Sequence, residues 1–281
     1  MKAVEKNVAG WSDVWSVYCE FANSKRTWVY RGLNDPSYHL ETTLERTAKQ
    51  FGIGPGQRQE IEESLLRWFK RQAHHFLSDV PAENDPIEWL AVMQHHGAPT
   101  RLLDWSFSFL FALFFAVEKA EASCVVWCLD LHWLLTKVEK KFQTVFKPII
   151  DHDPRLKRKK FFKSVFQANP ALDLVYSLNP NRLNPRLKIQ QGIFLAAGNL
   201  GISFEDNFDT VQRDDRGQVL KIVIEIRNPR VRTEILRHLY RMNINRATLF
   251  PGLDGFAQSL HTMMATPEIL RGRLPGTGNG I

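Results

Sequence analysis

Three short stretches gather side chains able to hold an anion or move a proton. The longest, Gln94-His95-His96-Gly97-Ala98-Pro99-Thr100-Arg101-Leu102-Leu103-Asp104-Trp105-Ser106, sets two histidines, an arginine and an aspartate between two strongly apolar segments. A buried charge without a partner is costly, so Arg101 and Asp104, close together in a non-helical turn, are expected to meet each other or a bound ligand. The second stretch, Tyr30-Arg31-Gly32, ends a β-prone run that starts at Thr27. An arginine at a strand end can fork onto a phosphate or carboxylate, and a glycine beside it lets backbone or ligand approach closely. A plain ion pair with an Asp or Glu is the competing use of Arg31. In the third, Gln190-Gln191-Gly192 precede the apolar run Ile193 to Ala197, where two amides either line a cleft or turn a strand edge.

Metal chemistry is not expected. The pairs His74-His75 and His95-His96 are adjacent, whereas helical zinc ligands sit three or four apart and need Cys or carboxylate support. Cys124 and Cys128 lie in an apolar run and read as core thiols; their spacing is expected to straddle both faces of a strand. Between Asp151 and Lys163 six Lys/Arg oppose two Asp. Such a loop can track phosphates or simply be solvated, and Arg155, Lys157, Arg158, Lys159 and Lys160 are its candidate contacts to a nucleic acid or protein target.

The elements that must position these residues follow from periodicity. Asn84-Asp85-Pro86 opens a helix that Gly97 and Pro99 stop. Phe107 to Ala120 is apolar on every side until Glu118, the pattern of a helix buried all round, with Ser106 or Ser108 as its N-cap and an N-terminus able to face an anion. Trp11 to Phe21 carries an aromatic stripe at helical spacing. Gln57 to Leu77 is amphipathic, with Ile61, Leu65, Trp68, Phe69 and Phe76 on its apolar side. Strands are predicted over Thr27–Gly32, Cys124–Asp130, Ile193–Ala197 and Val219–Ile226, and further helices over His132–Phe142, Val231–Met242 and on through Met264.

Tyr30-Arg31-Gly32, Gln94-His95-x-Gly97-x-Pro99-Thr100-Arg101-Leu102-Leu103-Asp104-Trp105, Gln190-Gln191-Gly192-x-Phe194 and Phe250-Pro251-x-Leu253-Asp254-Gly255, in this order, resemble the FRG-domain family. The resemblance runs from about residue 25 to 262, with Tyr30 where the family's name-giving Phe stands. A fainter resemblance is to ADP-ribosyltransferases. Their Arg-Gly at a first strand end is similar to Arg31-Gly32, and their Ser-Thr-Ser element entering a helix is similar to Asp104-Trp105-Ser106-x-Ser108. That likeness implies NAD as substrate, with Arg31 and Gly32, Arg101, Ser106 and Gln190 in binding, and His95, Asp104 and Gln191 in catalysis. Arg31 would grip the pyrophosphate, the Ser106 region would hold the nicotinamide ribose, and the Gln191 element would face developing oxocarbenium charge. Active transferases carry a carboxylate at that last place. Gln191 has none, so either another acid such as Asp104 or Glu205 serves, or catalysis is absent.

With 281 residues, 44% of them hydrophobic, the chain can build a sizeable core, and its formal charge of +7 favours anionic partners. The expected fold is α+β: a single domain with a small, mostly antiparallel, split sheet surrounded by helices, one of them fully buried. An N-terminal helix over residues 1–24, an FRG-like domain over 25–265 with a basic insertion at about 143–170, and a loose tail over 266–281 complete the organisation. Three cysteines and no signal-peptide core point to the cytoplasm, and no stretch is long enough to span a membrane. Two functions compete: an ADP-ribosyltransferase-like or NAD-cleaving enzyme of defence or toxin type, and a non-catalytic nucleotide- or nucleic-acid-binding module.

Overall fold

The computed structural model describes residues 3–149, 154–182, 184–212 and 218–267. Its seven strands are β1 (Val4–Val8), β2 (Trp28–Leu33), β3 (Leu102–Ser106), β4 (Ser123–Asp130), β5 (Val175–Ser177), β6 (Gly192–Ala197) and β7 (Val219–Glu225). The helices are α1 (Trp11–Ala22), α2 (Thr43–Gln50), α3 (Arg58–Ala73), α4 (Pro86–His95), α5 (Phe109–Val117), α6 (Leu131–Lys141), α7 (Gln143–Phe146), α8 (Pro154–Phe166), α9 (Pro185–Ile189), α10 (Phe204–Gln212), α11 (Pro229–Arg241), α12 (Arg246–Leu249) and α13 (Leu253–Met263). The strands form one sheet in the order β1-β7-β4-β2-β3-β6-β5, antiparallel except where β1 runs parallel to β7.

The sheet is nearly divided in the middle. β2 pairs with β4 over six residues and β3 with β6 over five, but β2 and β3 share one bridge, Tyr30 opposite Ser106. Beyond that bridge the two strands part, and the gap becomes the site described below.

α5 covers β2 from one side. Ser108 caps it by accepting from the Phe111 amide, and Phe109, Leu110, Ala112, Leu113, Phe114, Ala116 and Val117 are buried. Each large side chain buried there stabilises the fold by roughly 1.5–3 kcal/mol. Gly32 allows the helix to sit on the strand: a Cβ there would lie 1.9 Å from the Ala112 carbonyl oxygen. α1, α5 and α11 thus enclose one core with Trp28, Tyr30, Cys124, Val126 and Cys128, while α2, α3, α4, α6, α8 and α10 enclose the other with Val29, Val125, Trp127 and Leu129.

Several expectations need correction. The residues from Leu102 to Ser106 are not a turn but a central strand, because Leu102, Leu103 and Trp105 are buried and hydrogen-bonded to β6. Cys124 and Cys128 share one face rather than straddling two, since side chains four apart on a strand point the same way. Burial pushes the Cys124 thiol up to about 12 and raises the Cys128 thiol well above its ordinary 9, so both are inert core groups. Trp68 and Phe76 of the supposed apolar stripe are 60% and 83% exposed, and Trp15 of the N-terminal stripe is also exposed. The basic stretch is not a loop: α8 buries Phe162, Val165 and Phe166 in the core. On that helix Arg158 is held by Asp85 at 3.3 Å and Glu88 at 3.6 Å, and it donates to the Asn179 carbonyl. Lys157, Lys159 and Lys160 are left at the surface side of the helix, and the Arg155 side chain lies outside the described residues. The edge strand β1 was not predicted. Of the tail expected over 266–281, residues 268–281 lie outside those described.

Candidate functional site

Where β2 and β3 diverge, a cleft of about 230 Å3 opens, lined by Arg31, Asp104, Trp105, Phe115, Arg186 and Phe250 together with Tyr30, Gly32, Ser106 and Gln190. Arg31 reaches across it. Its Nη1 donates to the Asp104 carbonyl at 2.6 Å, replacing strand pairing that the splayed backbones no longer make. Its Nε is buried with no hydrogen-bond partner. Burial weakens the guanidinium's hold on its proton; Asp104 opposes that, and Arg46 adds to it.

Asp104 is set from the other wall. Gln94, near the end of α4, donates from Nε2 to Asp104 Oδ2 at 2.7 Å, and Gln94 Oε1 in turn accepts from the Thr100 hydroxyl at 2.6 Å. Thr100 is fixed by its own backbone, whose carbonyl accepts from the Leu44 amide. A relay from α2 therefore reaches the carboxylate through two motif side chains.

The second cation, Arg186, comes from α9, a helix capped by Asn184. Its guanidinium lies 4.4 Å from the Phe250 ring centre, with Arg246 at 4.6 Å from the same ring and paired through two hydrogen bonds to buried Glu118. Burial lowers the Arg186 proton affinity, Asp104 raises it and Arg246 lowers it. Phe250 holds its place because Gly255 admits the Phe250 carbonyl where a Cβ would be 1.8 Å away. The late Phe250-to-Gly255 motif is thus the support of one cleft ring.

Of the residues expected in the site, Arg31, Gly32, Asp104, Ser106 and Gln190 line the cleft. Ser106 is already engaged by the protein: its hydroxyl donates to the Gln190 carbonyl at 2.7 Å and accepts from the Ser108 amide. Gln190 donates to the Leu249 carbonyl. His95 does not line the cleft; burial, then the neighbouring His96 and Arg186, hold its imidazole below the ordinary 6.5.

Three residues are elsewhere. Arg101 is fully buried and pairs not with Asp104 but with Glu62: its Nε donates to Glu62 Oε2 at 2.6 Å, while Nη1 and Nη2 reach the Phe166 carbonyl and Gln59. All three of its guanidinium nitrogens are engaged by protein groups, and it does not line the cleft. Gln191 adopts a left-handed conformation, φ 46°, that turns α9 into β6; it lines a separate depression beside Tyr18, Phe107 and Trp28 and not the seam cleft. Glu205, the alternative acid, accepts from the Leu40 amide at 2.8 Å, and it does not line the cleft. Among the described residues no group of three His, Cys, Asp or Glu is placed to hold a metal ion, and no helix is long and apolar enough to cross a membrane.

Sequence reasoning missed Arg186, Phe250, Phe115 and the role of Gln94. Gln94 and Phe250 stand in motifs that could have flagged them; Arg186 carries no local signal, because its place depends on α9 folding over the seam.

Residues 26–124 match the family model of the FRG domain. The match contains Arg31, Gln94, Asp104 and Phe115, whereas Arg186, Gln190 and Phe250 come from the following half of the chain. No curated protein and no solved structure matches the chain.

Proposed function

With the FRG-matched residues 26–124 supplying both Arg31 and Asp104 as the premise, we propose that the seam cleft binds NAD and breaks its nicotinamide–ribose bond, passing the ADP-ribosyl group to an acceptor. The observation that carries this reading is the placement of Asp104, held by Gln94, between two partly desolvated arginines and beside the Phe250 and Phe115 rings. Arginine is suited to phosphate through its planar fork, and the rings suit a heteroaromatic base. A cavity near 230 Å3 is slightly below the common size of small-ligand sites, so it would hold part of a dinucleotide while the rest lies over the rim.

The chemistry assigned to the chain is electrostatic. As the C1′–N bond breaks, its electron pair leaves with nicotinamide and positive charge grows on the ribose; an ionised Asp104 would stabilise that charge, and the arginines would hold the phosphates still. The acceptor's nucleophile then forms the new bond to C1′ and releases its proton. Since Gln191 is outside the cleft, its missing charge does not bear on this step.

The test is incubation of the chain with NAD labelled in the adenylate, followed for free nicotinamide and for label on protein or nucleic acid. Nicotinamide release that Asp104→Asn reduces at least a hundredfold supports the reading. Tight NAD binding without release would reduce the site to a nucleotide-binding module, and neither binding nor release would refute the proposal.

A further inference from the structure

One row of the sheet crosses the seam with three N–H donors that meet no acceptor. β2 pairs Arg31 with Trp127 of β4, and the Tyr30–Ser106 bridge sets Trp105 of β3 beside Arg31 on the other side. Side chains alternate across a sheet, so Trp127, Arg31 and Trp105 follow one another along one face; Trp105 and Trp127 indeed belong to the same buried cluster. Arg31 Nε, Trp105 Nε1 and Trp127 Nε1 are all buried and without a hydrogen-bond partner. The two tryptophans are only 3% and 6% exposed. Native folds leave few buried donors unpaired, and three on adjacent strands in one row mark a place where an acceptor is expected.

The charges around the row select the acceptor. Lys221 of β7 stands opposite Trp127 with its ammonium 5.7 Å from the indole ring, and Arg46 lies close enough to Arg31 to compete with its charge. The carboxylates nearby are Glu5, at the far end of the row and 3.9 Å from Lys221, and Asp104, which Gln94 holds. The field over the row is therefore positive. β2 lies about 4.8 Å from β4 and farther from β3 where the seam opens, so donors rooted on the three strands are spread too widely for one phosphate and suit two linked phosphates.

We propose that the indole N–H groups of Trp105 and Trp127, with Arg31 Nε between them, form the seat of a diphosphate. This rests on the NAD reading and adds to it a recognition element: the ligand is a diphosphate-bearing nucleotide, held by two tryptophans as well as by arginine. Arg31 and Trp105 line the cleft, so the seat is continuous with the space where the nucleoside is placed.

The test uses the indole nitrogens directly. The chain holds eight tryptophans, so 15N labelling gives one indole signal for each, and sequential assignment backed by Trp105→Phe and Trp127→Phe identifies the two of interest. Titration with inorganic pyrophosphate, and separately with orthophosphate and NAD, should move both signals downfield to saturation, with pyrophosphate binding at least tenfold tighter than orthophosphate. Each Phe variant should weaken pyrophosphate at least fivefold. The shifts are read on the wild-type chain, so they stand even where a variant misfolds. NAD binding that leaves both indoles unmoved overturns the diphosphate seat and spares the cleft reading; equal affinity for orthophosphate overturns the diphosphate assignment; no response to any of the three overturns both.

Discussion

Glu62→Ala removes the carboxylate that faces the fully buried Arg101 guanidinium, and the structure states what remains. Glu62 Oε1 accepts from the Arg101 amide at 2.8 Å, and Oε2 accepts from Nε at 2.6 Å and lies 2.5 Å from Nη2. The other partners, Gln59 and the carbonyls of Phe166 and Ala197, are neutral, so the cation would be left buried without an opposite charge. Breaking such a pair from one side costs about 3–5 kcal/mol, against a total stability of about 5–15 kcal/mol for a typical domain. At roughly 2–4 °C per kcal/mol for a large domain, Tm should fall on the order of 10 °C. The double change Arg101→Met with Glu62→Leu should recover most of that loss, because no charge is stranded. Asp104→Ala removes the hydrogen bond from Gln94 and a carboxylate that supports the Arg31 and Arg186 charges without a direct ion pair to either, and should cost less than Glu62→Ala. Urea titrations read by far-UV circular dichroism decide it: Glu62→Ala within about 1 kcal/mol of wild type, or Asp104→Ala the more damaging, would refute the assignment of Arg101 to Glu62.

Gly32→Ala should destabilise by about 3 kcal/mol or more, since its Cβ meets the α5 backbone, whereas Gly192→Ala meets the movable Leu187 Cδ1 at 2.3 Å and should cost under about 1.5 kcal/mol; equal midpoints would deny the close packing of α5 on β2. His95 has its folded-state pKa depressed below 6.5, so the unfolded chain takes up a proton first as the pH falls and stability declines below about pH 6.5. His95→Gln should flatten the stability profile between pH 6.5 and 5, and an unaltered slope would contradict its burial beside Arg186. On α8, Arg158→Ala should destabilise by releasing Asp85 and Glu88, while Lys157→Ala, Lys159→Ala and Lys160→Ala together should leave Tm within about 2 °C; thermal melts of the two variants separate ion-pair from surface roles.

Most elements were legible because their signals are local. The two faces of α3 and α11, the caps before α4 and α5, and the alternation of β7 need only neighbours within a few residues. β3 was not legible: Leu102-Leu103-Asp104-Trp105 is a short run between two helices, and only pairing with β6, about ninety residues away, makes it a strand. The same distance explains the misassigned ion pair. Asp104 is the nearest carboxylate to Arg101 in sequence, yet adjacent odd and even positions of a strand diverge, and Glu62 on α3 is delivered by tertiary packing. The cleft was half legible. Arg31 and Asp104 stand in recognisable motifs, but Gln191 was placed by motif position alone, and its left-handed backbone turns it away from the seam. The single Tyr30–Ser106 bridge that creates the cleft leaves no trace in composition or periodicity.

The most direct test of the central claim is thermal stability with and without NAD, for wild type and Arg31→Lys, which keeps the charge and loses the planar fork. At ten times Kd a ligand that binds only the folded chain adds about 1.4 kcal/mol, so wild type should melt about 4 °C higher with saturating NAD. Arg31→Lys should melt near wild type without ligand and lose most of the NAD-dependent rise. A wild type that shows no rise at millimolar NAD, with Arg31→Lys simply less stable, would make Arg31 a brace across the seam and contradict a nucleotide site there.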